Sequence, residues 1–241
     1  MKSARMMHAM RAESPGPTVG KLVPKLKYTA RIMYGIYIAM TTIEIILLLI
    51  GKMPVYDSIL TALANAGTGG FSPMNASIAA YDSLYVEVVV TVFMILFGIN
   101  FSIFYLIITG NVLRALKSEE LWWYLGIIFA SIAIITANVI KIYGSFGAAL
   151  RNTSFTVGSI ISSTGFVTAD FNKWPPLSQI LLVFLMFIGS CAGSTGGGLK
   201  ISRLIILIKS GLREIKYTFQ PNAVYSIRFE GKTLEKDTIR N

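Results

Sequence analysis

Long unbroken apolar blocks are the feature that most limits what this chain can become. Residues 30–50, 84–109 and 121–140 are each near or above the roughly 20 residues that cross a hydrocarbon core as a helix. Residues 179–210 form a fourth block, interrupted in its middle by glycines. The apolar residues run in blocks rather than at the 3.6-residue or two-residue period of a half-buried soluble element. Composition agrees: 54% of the 241 residues are hydrophobic and 14% are charged, against about 25% charged in a soluble domain. The expected class is an all-α membrane protein crossing the lipid bilayer several times. The stretch before the first block is basic, and that block is too long for a signal-peptide core, which argues against a cleaved signal.

The net charge of +10 takes its meaning from where the charges stand. Lys2, Arg5, Arg11, Lys21, Lys25, Lys27 and Arg31 precede the first span. Arg114 and Lys117 lie between the second and third, and Lys209, Arg213, Lys216, Arg228, Lys232, Lys236 and Arg240 follow the last. The other side holds only Lys52, Lys141, Arg151 and Lys173. This asymmetry is the positive-inside pattern and predicts both termini and the middle loop on the cytoplasmic side. It accounts for the charge without nucleic acid as a partner. Cys191 is the only cysteine and His8 the only histidine. An internal disulfide, a zinc site and Ser–His catalysis are therefore not readings of this chain.

An offset of 95 residues lays Thr68-Gly69-Gly70-Phe71 on Ser163-Thr164-Gly165-Phe166. The same offset lays the first span on the third and the second on the fourth. Each unit reads as span, short apolar segment, glycine turn, span. The short segments, 56–66 and 153–162, cannot cross a bilayer. Both must start and finish on the outer side, so each is expected to dip in as a short helix and return as an extended strand. Backbone at that depth is tolerated only where it is buried in protein or lines a wet cavity. Glycine lets such a strand turn its carbonyls toward a dehydrated cation. The hydroxyls of Thr68, Ser163 and Thr164 add ligand oxygens or brace the loop. The helix in front directs its negative end at the ion. The bland alternative, an ordinary Gly- and Ser-rich turn, is weakened by the second copy at the matching place.

The fourth span is broken by Gly189-Ser190-Cys191-Ala192-Gly193-Ser194-Thr195-Gly196-Gly197-Gly198, followed by Leu199-Lys200. Glycines at roughly 1 kcal/mol each relative to alanine do not sustain a helix there. A mid-membrane break with small polar residues predicts a gate. Lys200 and Arg203 follow at once, and charges at membrane depth are functional candidates. A snorkelling half-helix is the plainer alternative. Leu199 stands where a phosphate-binding loop needs lysine, so that reading is rejected. Glu44 and Glu87 lie inside spans, with a cation vestibule on one side and a local salt bridge or interfacial exposure on the other equally open. Asn100 and Asn138 are expected to make interhelical hydrogen bonds, and Trp122 and Trp123 to sit in an interfacial belt.

At these residues the sequence resembles the Trk/Ktr/HKT cation transporters, specifically TrkH-type potassium uptake proteins. Three segments carry the resemblance: Thr68–Ser72, Ser163–Pro175 and Gly189–Lys200. It implies four span–pore-helix–span repeats around one pore, of which this chain holds the second and third. It implies a filter at Thr68, Gly69, Gly70, Ser163, Thr164 and Gly165, with potassium as the transported ion and no organic cofactor. It implies a gate at Gly193, Ser194, Thr195, Gly196, Gly197 and Gly198 with Lys200. The family forms dimers, and its bacterial members work with a cytosolic ring of nucleotide-binding regulatory subunits. A bacterial or archaeal cytoplasmic membrane follows. The expected organisation is a basic cytoplasmic segment 1–29, a first repeat 30–112, a second repeat 118–212 with a broken last helix, and a cytoplasmic segment 213–241. Two filter segments cannot surround an ion, so a second copy or a partner chain with the missing repeats is expected. The alternatives are a non-conducting truncated or modulatory fragment and an intramembrane enzyme. The latter lacks paired acids, a placed histidine and a metal site.

Overall fold

The computed structural model describes residues 26–219, 228–230 and 232–233. The basic segment 1–25 and most of 220–241, with the charges read there, lie outside the described residues. The described chain is helical, apart from two two-residue strands near its end.

The first repeat opens with α1, Leu26–Ile50, an apolar helix whose outward residues include Ile38, Ile43, Ile46 and Ile50. Those faces suit lipid, as an exposed apolar stripe on a membrane helix should. Helix α2, Val55–Ala66, follows after Pro54 and ends at Gly67. Helix α3, Leu84–Phe97, starts at Ser83, whose hydroxyl accepts the Val86 N–H at 3.4 Å. Helices α4, Phe101–Ile108, and α5, Val112–Leu116, complete the unit. The second repeat begins with α6, Glu119–Tyr143, N-capped by Ser118 and closed by Gly144 at φ +67°. Helix α7, Phe146–Ile161, is capped by Ser145. Helix α8, Pro176–Ile188, has proline at its first position, where the missing N–H is not needed. Helix α9, Ile201–Phe219, follows the glycine-rich break, and strands β1, Arg228–Phe229, and β2, Lys232–Thr233, pair antiparallel.

Helices α1 and α6 are each long and apolar enough to cross a membrane. Two expectations change here. The block at 84–109 is not one straight span: α3 and α4 meet at 95° across Gly98–Asn100. The second short segment is longer than read, because the helix starts at Phe146 rather than near Thr153.

Each repeat has its own apolar core. Ala62, Val90, Met94 and Phe97 lie in the first, and Tyr124, Ile135, Val157 and Leu182 in the second. Phe155 and Phe166 cross from the second repeat into the core of the first. A polar staple joins the two units. Arg151 on α7 grips Glu87 on α3 with Nε–Oε2 at 2.6 Å and Nη2–Oε1 at 2.8 Å. This resolves Glu87 as an ion pair rather than a free vestibule charge. Bidentate geometry of this kind is the strong form of the contact. Glu44 is buried on α1 and accepts from Asn65 Nδ2 of α2 at 2.6 Å. Asn138 on α6 donates to Ser178 of α8 at 2.9 Å, an interhelical bond as expected. Trp122 and Trp123 are both exposed.

Candidate functional site

The two glycine loops have the same backbone. Thr68 and Ser163 adopt φ of +50° and +61°, and Gly70 and Gly165 adopt +65° and +87°. Their hydrogen bonds repeat at the same offset. Gly67 N–H donates to Leu63 as Ser162 does to Gly158, Thr68 to Asn65 as Ser163 to Ile160, and Gly69 to Ala64 as Thr164 to Ser159. In each loop the chain leaves a short helix, folds its last turn back on itself and runs on.

The loops abut. A Cβ on Gly70 would overlap the Thr164 carbonyl oxygen and lie 3.2 Å from the Gly165 carbonyl carbon. Only glycine permits this approach, and its positive φ is a second reason for glycine there. The carbonyls of Thr68, Gly69, Gly70, Ser163, Thr164 and Gly165 accept no hydrogen bond among the described residues. The carbonyls of Gly67 and Phe166, on either side, do accept: from the hydroxyls of Thr68 at 2.8 Å and Ser159 at 2.7 Å. A run of unpaired carbonyls needs water or a cation.

Two of the three loop hydroxyls have polar partners within the protein. Thr164 is buried, with its Oγ1 2.7 Å from Ser162 Oγ. Thr68 Oγ1 lies within reach of the carbonyls of Gly67 and Thr195, at 2.8 and 3.1 Å. Ser163 and Gly69 are exposed.

The loop between α8 and α9 packs against both glycine loops. Its Thr195 carbonyl meets Thr68. A Cβ on Gly196 would overlap the Ser190 hydroxyl and lie 3.1 Å from the Ser162 carbonyl, and one on Gly197 would lie 3.2 Å from Ser163 Oγ. Lys200 curls back so that its ammonium donates to the Gly196 carbonyl. Gly193, Ser194 and Gly198 serve the loop's shape instead. Ser194 Oγ donates to Cys191 O at 2.6 Å, and Gly198 lies against Gly189. Arg203 is exposed and takes no part.

Sequence reasoning missed the other wall of this loop, which is the break in the first repeat. Cys191 N–H donates to Gly98 O at 3.0 Å, Thr195 N–H to Phe97 O at 3.3 Å, and Phe101 N–H to Gly193 O at 3.1 Å. Asn100 sits at the break, where its Oδ1 caps α4 by accepting the Ser102 N–H at 2.9 Å. Glu120 was missed too. Its carboxylate accepts the Ala192 N–H at 2.7 Å and the Ser202 N–H at 3.2 Å. The available signal was an acid in the first turn of a span, which normally reads as a helix-dipole partner.

A sequence model of the TrkH family, described as cation transport protein, matches residues 7–122 and 122–241. The chain is 34% identical over 232 residues to the Trk system potassium uptake protein TrkH of Escherichia coli strain K12, covering 95% of this chain and 48% of that protein. It is 30% identical over 234 residues to the Trk system potassium uptake protein TrkG of the same strain, covering 95% and 48%. The crystal structure of the potassium transporter TrkH from Vibrio parahaemolyticus superposes with a TM-score of 0.85 at 30% identity, over 92% of this chain and 49% of that one. The chain thus spans about half the length of the curated relatives it matches.

Proposed function

The chain belongs to the TrkH family of cation transport proteins, and from that premise we propose that it supplies two filter segments and the gate of a potassium-conducting pore. The observation that carries this reading is the pair of superposable glycine loops, abutting, with a run of unpaired carbonyls in each. Carbonyls of Thr68, Gly69, Gly70, Ser163, Thr164 and Gly165 replace the water shell of the ion. The C-terminal ends of α2 and α7 add negative potential there. The loop at Gly193–Gly198, with Lys200 tied to Gly196, sits against both filter segments and closes the path. Flow starts when that loop withdraws. Movement is passive or coupled to another cation, with no hydrolytic chemistry.

Two segments form half a ring. The remaining half comes from further repeats on the same polypeptide, from a partner chain carrying them, or from a second copy of this chain. Family membership adds a cytosolic nucleotide-binding regulatory subunit as partner, and a bacterial or archaeal cytoplasmic membrane with both termini inside. A second reading, a non-conducting or modulatory fragment, is favoured by the chain spanning about half of its relatives' length.

Radioactive rubidium uptake in a potassium-uptake-deficient bacterium tests the choice. Expression of this chain, alone or with the missing repeats supplied on another polypeptide, is expected to restore uptake. Gly165→Ser is expected to cut the restored uptake by about tenfold or more through the backbone strain of a side chain at positive φ. Membrane-inserted chain that restores nothing in either setting would leave the fragment reading.

A further inference from the structure

The first turn of α6 binds three different parts of the molecule through three consecutive residues. Glu119 pairs with Lys209 of α9 at 2.5 Å. Ser118 Oγ and the Glu120 N–H both donate to Glu230 Oε1, at 2.8 and 3.2 Å. Glu230 lies at the turn between β1 and β2, and Phe229 beside it is buried in the core of the second repeat. The Glu120 side chain points the other way, into the protein, and is only 4% exposed.

That carboxylate holds the intramembrane loop at both ends. Ala192 lies near the loop's start, and Ser202 is the second residue of α9. Ser202 N–H is one of the amides that a helix start leaves without an internal acceptor. The side chain of Asn100, at the break in the first repeat, lies beside the same carboxylate. One acid thus gathers both helix breaks.

We propose that Glu120 is the positioning residue of the intramembrane loop, and that the β1–β2 turn, by clasping the first turn of α6 through Glu230, sets how firmly Glu120 holds it. The proposal rests on reading the loop as the gate. Glu120 touches no filter residue and acts through Ala192 and Ser202. A ligand or protein that pulls on the β1–β2 turn shifts α6, loosens both loop ends and favours withdrawal.

Cys191 supplies a readout that does not depend on conduction. It is the only cysteine, adjoins Ala192 and is fully buried. The full chain in membrane vesicles is treated with a small methanethiosulfonate reagent, and the labelling rate is followed. Glu120→Ala is expected to speed labelling about tenfold or more, as local opening of the loop becomes easier. Glu120→Gln keeps an acceptor oxygen and is expected to stay within about threefold of the parent. Glu230→Ala is expected to give an intermediate rise. Added to Glu120→Ala, it is expected to contribute nothing further, since residues in one network couple. Glu119→Gln breaks the Lys209 pair on the same turn and is expected to leave the rate unchanged.

A parental rate in Glu120→Ala, or an equal rise in Glu119→Gln, would overturn the proposal. So would full additivity of Glu120→Ala with Glu230→Ala. If Glu120→Ala does not insert, Glu230→Ala decides by itself: its side chain is exposed, and a parental rate there removes the link to the gate. Rubidium flux separates the two readings. Faster labelling without flux in any variant keeps Glu120 as the loop's holder and removes conduction; flux with unchanged labelling does the reverse.

Discussion

Gly70→Ala is expected to abolish rubidium uptake and to lower the thermal unfolding midpoint, whereas Gly165→Ala is expected to fold and lose mainly uptake. Both glycines hold positive φ, at +65° and +87°. A side chain in that region costs roughly 1–2 kcal/mol. The two sites differ in what surrounds them. A Cβ on Gly165 meets nothing within 4 Å. A Cβ on Gly70 meets the backbone carbonyl of Thr164, which cannot rotate away without undoing the facing loop. Overpacking of that kind adds roughly 1–3 kcal/mol. The damage falls on two glycine loops in Gly70→Ala and on one in Gly165→Ala. Unfolding of detergent-purified protein, measured beside uptake, checks this. Equal destabilisation by the two substitutions would mean that the loops do not abut.

Gly189→Ala is expected to destabilise the second repeat as strongly. Gly189 sits at φ +69° and ψ −155°, a region that is essentially glycine's alone. Strain there costs about 1–3 kcal/mol. A Cβ would also overlap the Gly197 carbonyl and lie 2.8 Å from Gly198 Cα. Alanine therefore forces the two ends of the loop apart where they cross. Gly126→Ala is the natural control. Gly126 lies inside α6 with nothing within 4 Å of its Cβ position, and alanine there is expected to stabilise by up to about 1 kcal/mol. Unfolding midpoints of the two variants should move in opposite directions. A Gly189→Ala midpoint within a degree or two of the parent would contradict the loop geometry.

Much of the fold was legible because lipid leaves few choices. Continuous apolar blocks marked α1 and α6, and the 95-residue offset matched the two loops before any coordinate did. Their hydrogen bonds repeat at that same offset. What stayed hidden depends on tertiary partners. The sequence around Gly98-Ile99-Asn100 holds one glycine and no proline, and it is apolar on both sides, so it reads as a helix. It bends by 95° because the loop after α8 supplies partners for its backbone. Arg151 and Asn152, near the middle of α7, look like surface residues in the sequence alone. Arg151 is instead tied down by Glu87, 64 residues earlier in the other repeat and reachable only once the repeats pack. Glu120 looks like any acid that opens a helix, and nothing local says that its carboxylate turns inward.

The mutual bonding of the two helix breaks also fixes a sequence of events during synthesis. Phe97 and Gly98 carbonyls find their partners on Thr195 and Cys191, and the Phe101 N–H finds Gly193. Those partners emerge more than ninety residues later, a delay of about 5–20 s at translation rates of about 5–20 residues per second. Bare peptide groups are not tolerated in lipid meanwhile, so the newly inserted segment must satisfy itself as one straight helix. It bends only when the second repeat arrives. A nascent chain arrested after the first repeat should therefore carry paired cysteines at 97 and 101 at the spacing of one helical turn, and the finished chain should not. The first of these repeats inserts in one shape and matures into another, with the second acting as its template.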